Sequence, residues 1–396
     1  MYVHLGVRWD CNYQMWYPFA PTTFEGDDNE RFRFRIWWER NAASENGLGP
    51  GLVAIKSDDE QRASTAAPPP KTAQEHLRVF WDFQEAAPPY ANKAPKTAGG
   101  HGCDLLPYHY TDDTNPEHLA GGVPEPGANG MIDRATESPG VFGGYSAHLH
   151  GNTSGDGAML MVERETCPSA YIDGSNASVT LVVWYKHPAE DALNKREGVD
   201  NFGHAAGIWN EDSSDRQYVI FPRNGRIHPY DDSCESIAEC MPEMGAFLDV
   251  EVSSIGGNTP DQPHSITFAL GNTTLRGGEW SCMAVTYDSQ TIGAWLNGSL
   301  DVRSRTRRKQ AGATEVWENP YSMSTAYPGA PGGVYRSNGT FSVGGKAGML
   351  RVGQRHDNGR FGKPGQRHGL PGLYHGVALY DVALSADEMV AVCKGK

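Results

Sequence analysis

The densest group of chemistry-bearing side chains lies between residues 207 and 221. Gly207-Ile-Trp-Asn-Glu-Asp212 is followed after a short turn by Asp215-Arg-Gln-Tyr-Val-Ile-Phe221. Two adjoining strands here are expected to carry an aromatic ring, an amide, a carboxylate and a guanidinium on one patch, the mixture that sugar handling requires. The candidate catalytic residues are Glu211, Arg216, Tyr218 and His204. The candidate substrate-binding residues are Trp209, Asn210, Gln217 and Tyr374.

The alternation of side chains along a strand makes a first structural prediction for this patch. Arg216 and Tyr218 are expected on one face of their strand and Gln217 on the other. An alternative is purely structural, with Arg216 paired to Glu211 or Asp215 and the aromatic rings in the core.

Two types of reaction fit these residues, and the sequence leaves both open. A glycoside hydrolase needs two carboxylates, about 5 Å or about 6.5–9.5 Å apart. Glu211 would be one of them, and the candidates for the other are Asp212, Asp249, Glu251 and Glu318. A lyase acting on uronic acids would instead use Tyr218 or His204 as base. Its substrate carboxylate would be neutralised by Arg216, Gln217 and Asn210.

A second candidate for chemistry is His148-Leu-His150, which places two imidazoles on one face of a strand. That spacing can hold a metal ion, but a single His-x-His motif identifies no metal by itself. The structural alternative is a pair of hydrogen-bonded surface histidines.

Composition limits the partners of the 396-residue chain. The formal net charge is −14, which argues against nucleic acid or an anionic membrane surface as the main partner. No stretch approaches the roughly 20 apolar residues that span a bilayer. The N-terminus lacks the basic and apolar regions of a secretory signal, so we expect a mature form or a chain that stays inside the cell.

Seven cysteines are too few for a disulfide scaffold in a chain of this length. Cys234 and Cys240 could close a small loop, which fits an oxidising compartment. Cys282 lies in a strand pattern and is expected to be a small buried apolar residue. The odd total leaves at least one thiol free or in an intermolecular bridge.

The pattern along the chain predicts an all-β protein with an N-terminal extension. Residues 1–76 are expected to form an aromatic-rich extension and linker, with an alternating strand at 31–36. From residue 77 to residue 396, β-branched and aromatic runs alternate with turn signals. Asn297-Gly298 predicts a hairpin turn, and Ser385 with Glu388 predicts a capping box at the start of a short helix.

Three segments near the C-terminus resemble laminin G-like domains of the concanavalin A-like lectin and glucanase superfamily. The matching segments are Gly278–Asp288, Thr291–Leu300 and Gly372–Glu388. The resemblance implies a two-sheet antiparallel β-sandwich of the jelly-roll type over 77–396, with long loop insertions and one concave face open to solvent.

The resemblance also narrows the expected ligand to carbohydrate, because the superfamily includes lectins, glycoside hydrolases, polysaccharide lyases and adhesion modules. The favoured hypothesis is a polysaccharide-degrading enzyme acting on a glycan in a concave groove, outside the cell or on its surface. The glucanase signature Glu-x-Asp-x-x-Glu is missing, which weakens the hydrolase version. The alternatives are a non-catalytic lectin-like module and a structural or adhesion protein.

A structural calcium ion is the cofactor that the resemblance suggests, because sandwiches of this class bind it at rim loops through oxygen ligands. Three pairs could donate those oxygens, and no signature selects among them: Asp112-Asp113, Asp231-Asp232 and Asp357-Asn358.

Overall fold

In a computed structural model of the protein, β-strands are the main regular elements of the described residues. The described residues are 6–10, 15–19, 71–95, 103–110, 125–126, 132–150, 157–187, 201–210, 215–225, 245–310, 313–345 and 370–395. The chain divides into two compact units, Met1–Ala67 and Pro68–Lys396. The predicted boundary between residues 76 and 77 stays a prediction, and the predicted strand at 31–36 lies outside the described residues.

The first unit contains one described hairpin. Strands β1 (Gly6–Asp10) and β2 (Met15–Phe19) pair antiparallel, with Trp9 opposite Trp16.

The described residues of the second unit contain a run of strands and three short helices. The strands of its first half are β3 (Leu77–Trp81), β4 (Leu106–Tyr110), β5 (Glu125–Pro126), β6 (Ile132–Ala135), β7 (Ser146–Leu149), β8 (Gly157–Val162), β9 (Val179–Lys186), β10 (Asn201–Phe202), β11 (Ala206–Asn210) and β12 (Asp215–Gly225). Those of its second half are β13 (Gly245–Val252), β14 (Phe268–Leu275), β15 (Trp280–Tyr287), β16 (Thr291–Leu296), β17 (Ser299–Leu300), β18 (Arg303–Gln310), β19 (Ala313–Asn319), β20 (Tyr321–Ser322), β21 (Phe341–Val343) and β22 (Gly372–Tyr380). The helices are α1 (Lys71–Glu75), α2 (Met323–Ala326) and α3 (Ala386–Cys393), with a 3₁₀ turn at Pro168–Ala170.

The strands form two large antiparallel sheets, which confirms the all-β sandwich. The first sheet has the order β14-β13-β12-β11-β21-β8-β4-β5, with β10 added beside β12. The second has the order β17-β16-β15-β9-β22-β7-β6, with β20 beside β16 and β3 beside β22. About half of the neighbouring strands are consecutive in sequence, and the others, such as β9 with β22 and β11 with β21, pair over long distances, so the fold depends on long-range pairing.

Alternation along the strands fills the space between the two sheets. On β9, Leu181 and Val183 point into the main core, while Val182 and Trp184 pack on the opposite face. Trp81 on β3 is fully buried, and its indole nitrogen donates to the carbonyl of Cys103 at 2.7 Å. Burying apolar surface on both inner faces is the main stabilising contribution to such a sandwich.

Helix α3 covers the outer face of the second sheet. It begins at the predicted capping box, in which the Ser385 hydroxyl accepts from the Glu388 backbone N–H and the Glu388 carboxylate accepts from the Ser385 N–H. Met389 and Val392 are the apolar residues of the helix that pack on the sheet. No helix among the described residues has both the length and the apolar character needed to cross a membrane.

Two disulfides lie among the described residues of the second unit. Cys103 bonds to Cys167, and Cys282 on β15 bonds to Cys393 at the end of α3. Cys282 is buried in a strand as expected, but it is half of a disulfide, because the last turn of α3 places Cys393 over the outer face of β15. Cys234 and Cys240 lie outside the described residues, so their pairing stays a prediction.

His375 gives the sandwich a predictable pH dependence. This histidine on β22 is fully buried, its Nε2 accepts from the Phe142 N–H at 3.0 Å, and its Nδ1 donates to the Tyr145 carbonyl at 2.7 Å. These bonds need a neutral ring. Burial lowers the pKa of His375, while the bond to Tyr145 and the charge of Asp82 act in the opposite direction.

We expect the protein to lose stability as pH falls through about 6.5, the pKa of an unperturbed histidine. Below that pH the unfolded chain takes up a proton at this site that the folded chain resists, so the free energy of unfolding falls with pH. One such proton contributes a slope of up to about 1.4 kcal/mol per pH unit. Urea unfolding of wild type and His375→Gln between pH 7.5 and 5 measures it. Equal slopes in the two proteins would contradict the prediction.

Candidate functional site

Trp209 and Arg216 do lie together, as register partners on β11 and β12. The Arg216 guanidinium lies 5.6 Å from the centroid of the Trp209 ring, and its Nη1 donates to Asn258 Oδ1 at 2.8 Å. Both residues are almost completely buried, at 2% and 1% exposure. The expectation that this pair faces solvent in an open groove is therefore wrong.

Tyr218 and Gln217 do not belong to the same surface as Trp209. The register between β11 and β12 shifts between Gly207 and Trp209, so one residue of β11 faces two of β12. Such a bulge resets the alternation of side chains. Tyr218 points into the main core, where its hydroxyl donates to the Ala170 carbonyl at 2.5 Å. Gln217 Nε2 donates to the Tyr335 carbonyl at 2.7 Å.

Because of this bulge, the predicted distribution of side chains between the two faces of β12 is wrong. Arg216 and Tyr218 were expected on one face, but Arg216 lies against Trp209 whereas Tyr218 lies between the sheets. Burial also raises the pKa of Tyr218 well above its usual value. A general base needs a pKa near the working pH, so the environment of this phenol opposes the predicted catalytic role.

The remaining candidates are dispersed. His204 is fully buried, with its Nε2 3.0 Å from Ser342 Oγ. Tyr374 is fully buried on the second sheet, where its hydroxyl donates to the Leu370 carbonyl at 2.8 Å. Glu211 and the side chain of Asn210 lie outside the described part of the chain, and so do the three candidate calcium pairs.

The outer face of the first sheet carries buried carboxylates. Asp249 and Glu251 follow each other at a spacing of two on β13, opposite Phe221 and Val219 of β12. They are 0% and 6% exposed. Their shared face was not foreseen, although each residue was named as a candidate carboxylate.

The hairpin β18–β19 packs over part of this face, which was expected to be an open groove. Trp317 and Ala313 of the hairpin join Phe247 and Phe268 of the sheet in one apolar cluster. Glu315 is buried there, with Oε1 2.9 Å from His264 Nε2 and Oε2 accepting from the Trp317 indole at 2.8 Å. Both carboxylate oxygens of Glu315 thus have a hydrogen-bond partner, which a buried charge requires.

An open cavity lies on the other side of the molecule, where β16 meets the chain leading into α3. Its volume is about 210 Å³. The lining residues combine one aromatic ring, two hydroxyls and a carboxylate with apolar groups: Thr286, Asp288, Thr291, Gly293, Trp295, Leu300, Pro320, Ala383 and Leu384. We call this cavity the Trp295 pocket.

Polar groups in the Trp295 pocket have defined orientations. The Trp295 indole donates to Thr286 Oγ1 at 2.8 Å, which fixes the ring. Asp288 Oδ1 accepts from the backbone N–H groups of Gln290 and Thr291 at 2.9 and 2.7 Å, which fixes the carboxylate. Side chains held in this way form a site that loses little freedom when a ligand binds.

Gly293 keeps the floor of the Trp295 pocket open. A Cβ at this position would lie 2.8 Å from Thr286 Oγ1 and 2.9 Å from Trp295 Nε1. Any larger residue would therefore clash with the two atoms of the hydrogen bond that positions the indole. The sequence marked Thr291–Leu300 as a hairpin but gave no sign of a cavity beside it.

Two histidines and a carboxylate form a separate cluster at the edge of the second sheet. His148 on β7 is the register partner of Asp133 on β6, and His150 follows two residues later. His150 Nε2 lies 3.0 Å from Asp133 Oδ2, and His148 Nδ1 lies 3.5 Å from Asp133 Oδ1. The predicted pair of imidazoles on one face is present, with ring centroids 3.8 Å apart.

Several solved structures are distantly similar to this chain. No protein-family model and no curated protein sequence matches the chain. Domain 4 of AbnA, a GH43 extracellular arabinanase from Geobacillus stearothermophilus solved with arabinotriose, is 12% identical with a TM-score of 0.35, covering 80% of this chain and 98% of that domain.

Botulinum neurotoxin binding domains give similar values. The serotype D ligand-binding domain, solved with N-acetylneuraminic acid, is 9% identical with a TM-score of 0.39, covering 82% of this chain and 52% of that one. The type C toxin structure described with two ganglioside molecules is 9% identical with a TM-score of 0.38, covering 81% and 52%. This chain thus spans about half the length of the toxin chains. At this level of identity and superposition, none of these similarities extends to a site or an activity.

Proposed function

We propose that the protein is a carbohydrate-binding module that holds one sugar residue of a glycan in the Trp295 pocket. The observation that carries the proposal is the combination of a fixed indole ring with Thr286, Thr291 and Asp288 in one open cavity.

A sugar ring has the chemistry that matches this lining. One face of a pyranose presents C–H groups, which pack on an aromatic ring, and its rim presents hydroxyls, which need donors and acceptors. A purely apolar ligand would cover Asp288 and the threonine hydroxyls without hydrogen-bonding them, which is unfavourable. The cavity is smaller than the roughly 300–1,000 Å³ of a drug-sized site, so it suits a single small ring.

The environment of the candidate catalytic residues that the structure describes supports a binding function rather than a catalytic one. The candidate catalytic groups of β11 and β12 are buried, and the Tyr218 hydroxyl donates a hydrogen bond to a backbone carbonyl. Asp249 and Glu251 are also buried, on a face partly covered by a hairpin. The polysaccharide-degrading activity predicted from sequence therefore remains a prediction.

The family and the location of the protein are parts of the same proposal. Membership of the laminin G-like branch is supported by β15, β16, β22 and the capping box of α3, which occupy the three resembling segments. Function outside the cell or on its surface is supported by the two disulfides, since such bonds persist in oxidising compartments.

We expect a glycan array to show binding that depends on Trp295. Aromatic packing contributes about 0.5–1.5 kcal/mol beyond area burial, so Trp295→Ala should weaken binding of the best glycan about tenfold or more. Thr291→Val, which keeps the shape of its side chain, should weaken binding by a smaller factor. Calorimetry with that glycan measures both.

The matched control is Tyr145→Ala, because Tyr145 is an exposed aromatic whose ring is already covered by Arg134. It should bind like wild type. Equal affinity of wild type and Trp295→Ala would disprove the pocket, and absence of binding to neutral, uronate and sialylated glycans would disprove the function. Reducing-end and ultraviolet assays on the same samples would reveal hydrolysis or unsaturated lyase products.

A further inference from the structure

The cluster of Asp133, His148 and His150 has the dimensions of a metal site. In a tetrahedral site with bonds of about 2.0–2.1 Å, neighbouring ligand atoms lie about 3.4 Å apart. The carboxylate oxygens of Asp133 lie 3.0 and 3.5 Å from the two imidazole nitrogens. One ligand atom from each residue lies within 4.8 Å of the other two. An ion can therefore enter with small side-chain movements.

The backbone preorganises the three side chains. Asp133 and His148 face each other across the β6–β7 ladder, and His148 and His150 share one face because they are two residues apart. Their side chains remain accessible, with 59% of Asp133, 28% of His148 and 36% of His150 exposed. An ion from solvent can reach all three groups.

Neutral imidazole is the form of histidine that binds metals. The two rings lie with their centroids 3.8 Å apart, so both can offer a nitrogen to one ion. The Asp133 carboxylate beside them supplies the negative charge that a divalent ion requires.

We propose that Asp133, His148 and His150 bind one divalent transition-metal ion, with Zn²⁺ as the reference ion. Two imidazoles and one carboxylate suit Zn²⁺ and its neighbours in the series better than Ca²⁺ or Mg²⁺, which prefer oxygen ligands alone. Three protein ligands leave at least one coordination position for water or for a group of a bound partner.

The site would join the edge strand β6 to β7. Because the two strands come together only in the folded protein, an ion bound there stabilises the folded state in proportion to its concentration. This function is separate from sugar binding in the Trp295 pocket, which lies on β15 and β16.

Titration of the full-length, EDTA-treated protein with ZnCl₂ in a calorimeter tests the proposal. Loss of one ligand should weaken binding more than the 10–100-fold typical of losing a supporting residue. We expect His150→Gln and Asp133→Asn each to lower the Zn²⁺ affinity of this site by more than about 100-fold. Zn²⁺ should also raise the melting temperature of wild type but not of the variants. Visible absorption of the Co²⁺-loaded protein reports the coordination geometry.

The matched control is His76→Gln. His76 pairs with the Asp381 carboxylate at 2.8 Å, as the proposed ligands pair with Asp133. The second partner of Asp381 is Arg78, which does not bind metals as a second imidazole would. This variant should bind Zn²⁺ like wild type. If either ligand variant fails to fold by circular dichroism, His148→Gln replaces it. Wild-type affinity in the ligand variants, or no Zn²⁺ binding by wild type, would overturn the proposal.

Discussion

Removal of the Cys103–Cys167 disulfide is expected to lower the free energy of unfolding by about 4 kcal/mol. The bond closes a loop of 64 residues, and the chain-entropy relation gives roughly this value for such a loop. Both cysteines are fully buried, so alanine is the better replacement because serine would add buried hydroxyls. Urea unfolding of the Cys103→Ala/Cys167→Ala protein measures the loss.

The two single variants provide the control for this prediction. Each of them already breaks the bond, so Cys103→Ala alone should lose about as much stability as the double variant. The Cys282→Ala/Cys393→Ala protein, whose loop has 111 residues, should lose a similar amount, about 5 kcal/mol. Wild-type stability in any of these proteins, or alkylation of all four thiols in the native protein, would contradict the assignment of the disulfides.

Local signals in the sequence predicted the local elements of the sandwich well. Strands β15 (280–287) and β16 (291–296) lie within the segments Gly278–Asp288 and Thr291–Leu300, which the resemblance had marked. Asn297 and Gly298 between β16 and β17 both adopt positive φ, of 52° and 84°, as a tight hairpin turn requires. The capping box placed the start of α3 at the correct residue. These features depend on neighbours within a few residues, so the sequence alone contains them.

Features set by distant pairing could not be predicted in the same way. Cys282 and Cys393 are 111 residues apart, and no spacing rule joins them. Asp133 completes the histidine cluster only because β6 pairs with β7 in one register. The basic run from Arg303 to Lys309 forms most of β18 because β19, with Trp317 and Ala313 buried, gives it a partner strand.

The candidate site shows the same limit at the level of one residue. Trp209 and Arg216 were expected to lie together, and Arg216 does pack on the indole. The strict alternation of side chains along a strand placed Tyr218 on the wrong face of β12. The residue types alone do not reveal the register shift next to Gly207, which breaks that alternation. Trp209 packs with Val219 and Phe221 in a separate buried cluster on the outer face of this sheet.

Gly207 is the position on which this local geometry depends, and Gly207→Ala is expected to be severely destabilising. Its φ is +139°, and a Cβ there would lie 2.3 Å from the Tyr218 carbonyl oxygen and 2.7 Å from Val219 Cα. Both contacts are with backbone, so relief requires the β11–β12 pairing to move. Backbone strain and overpacking each contribute about 1–3 kcal/mol, so we expect a loss of about 4 kcal/mol.

Gly174→Ala is the control that separates conformational strain from lack of space at Gly207. Gly174 has a similar φ of +126°, but a Cβ there would meet no atom within 4 Å. Only the conformational cost applies, so this variant should lose about 1 kcal/mol. Urea unfolding of the two variants beside wild type gives the comparison. If Gly207→Ala lost no more stability than Gly174→Ala, the close approach of β11 to β12 would be contradicted. The bulge that separates Arg216 from Tyr218 would then be contradicted as well.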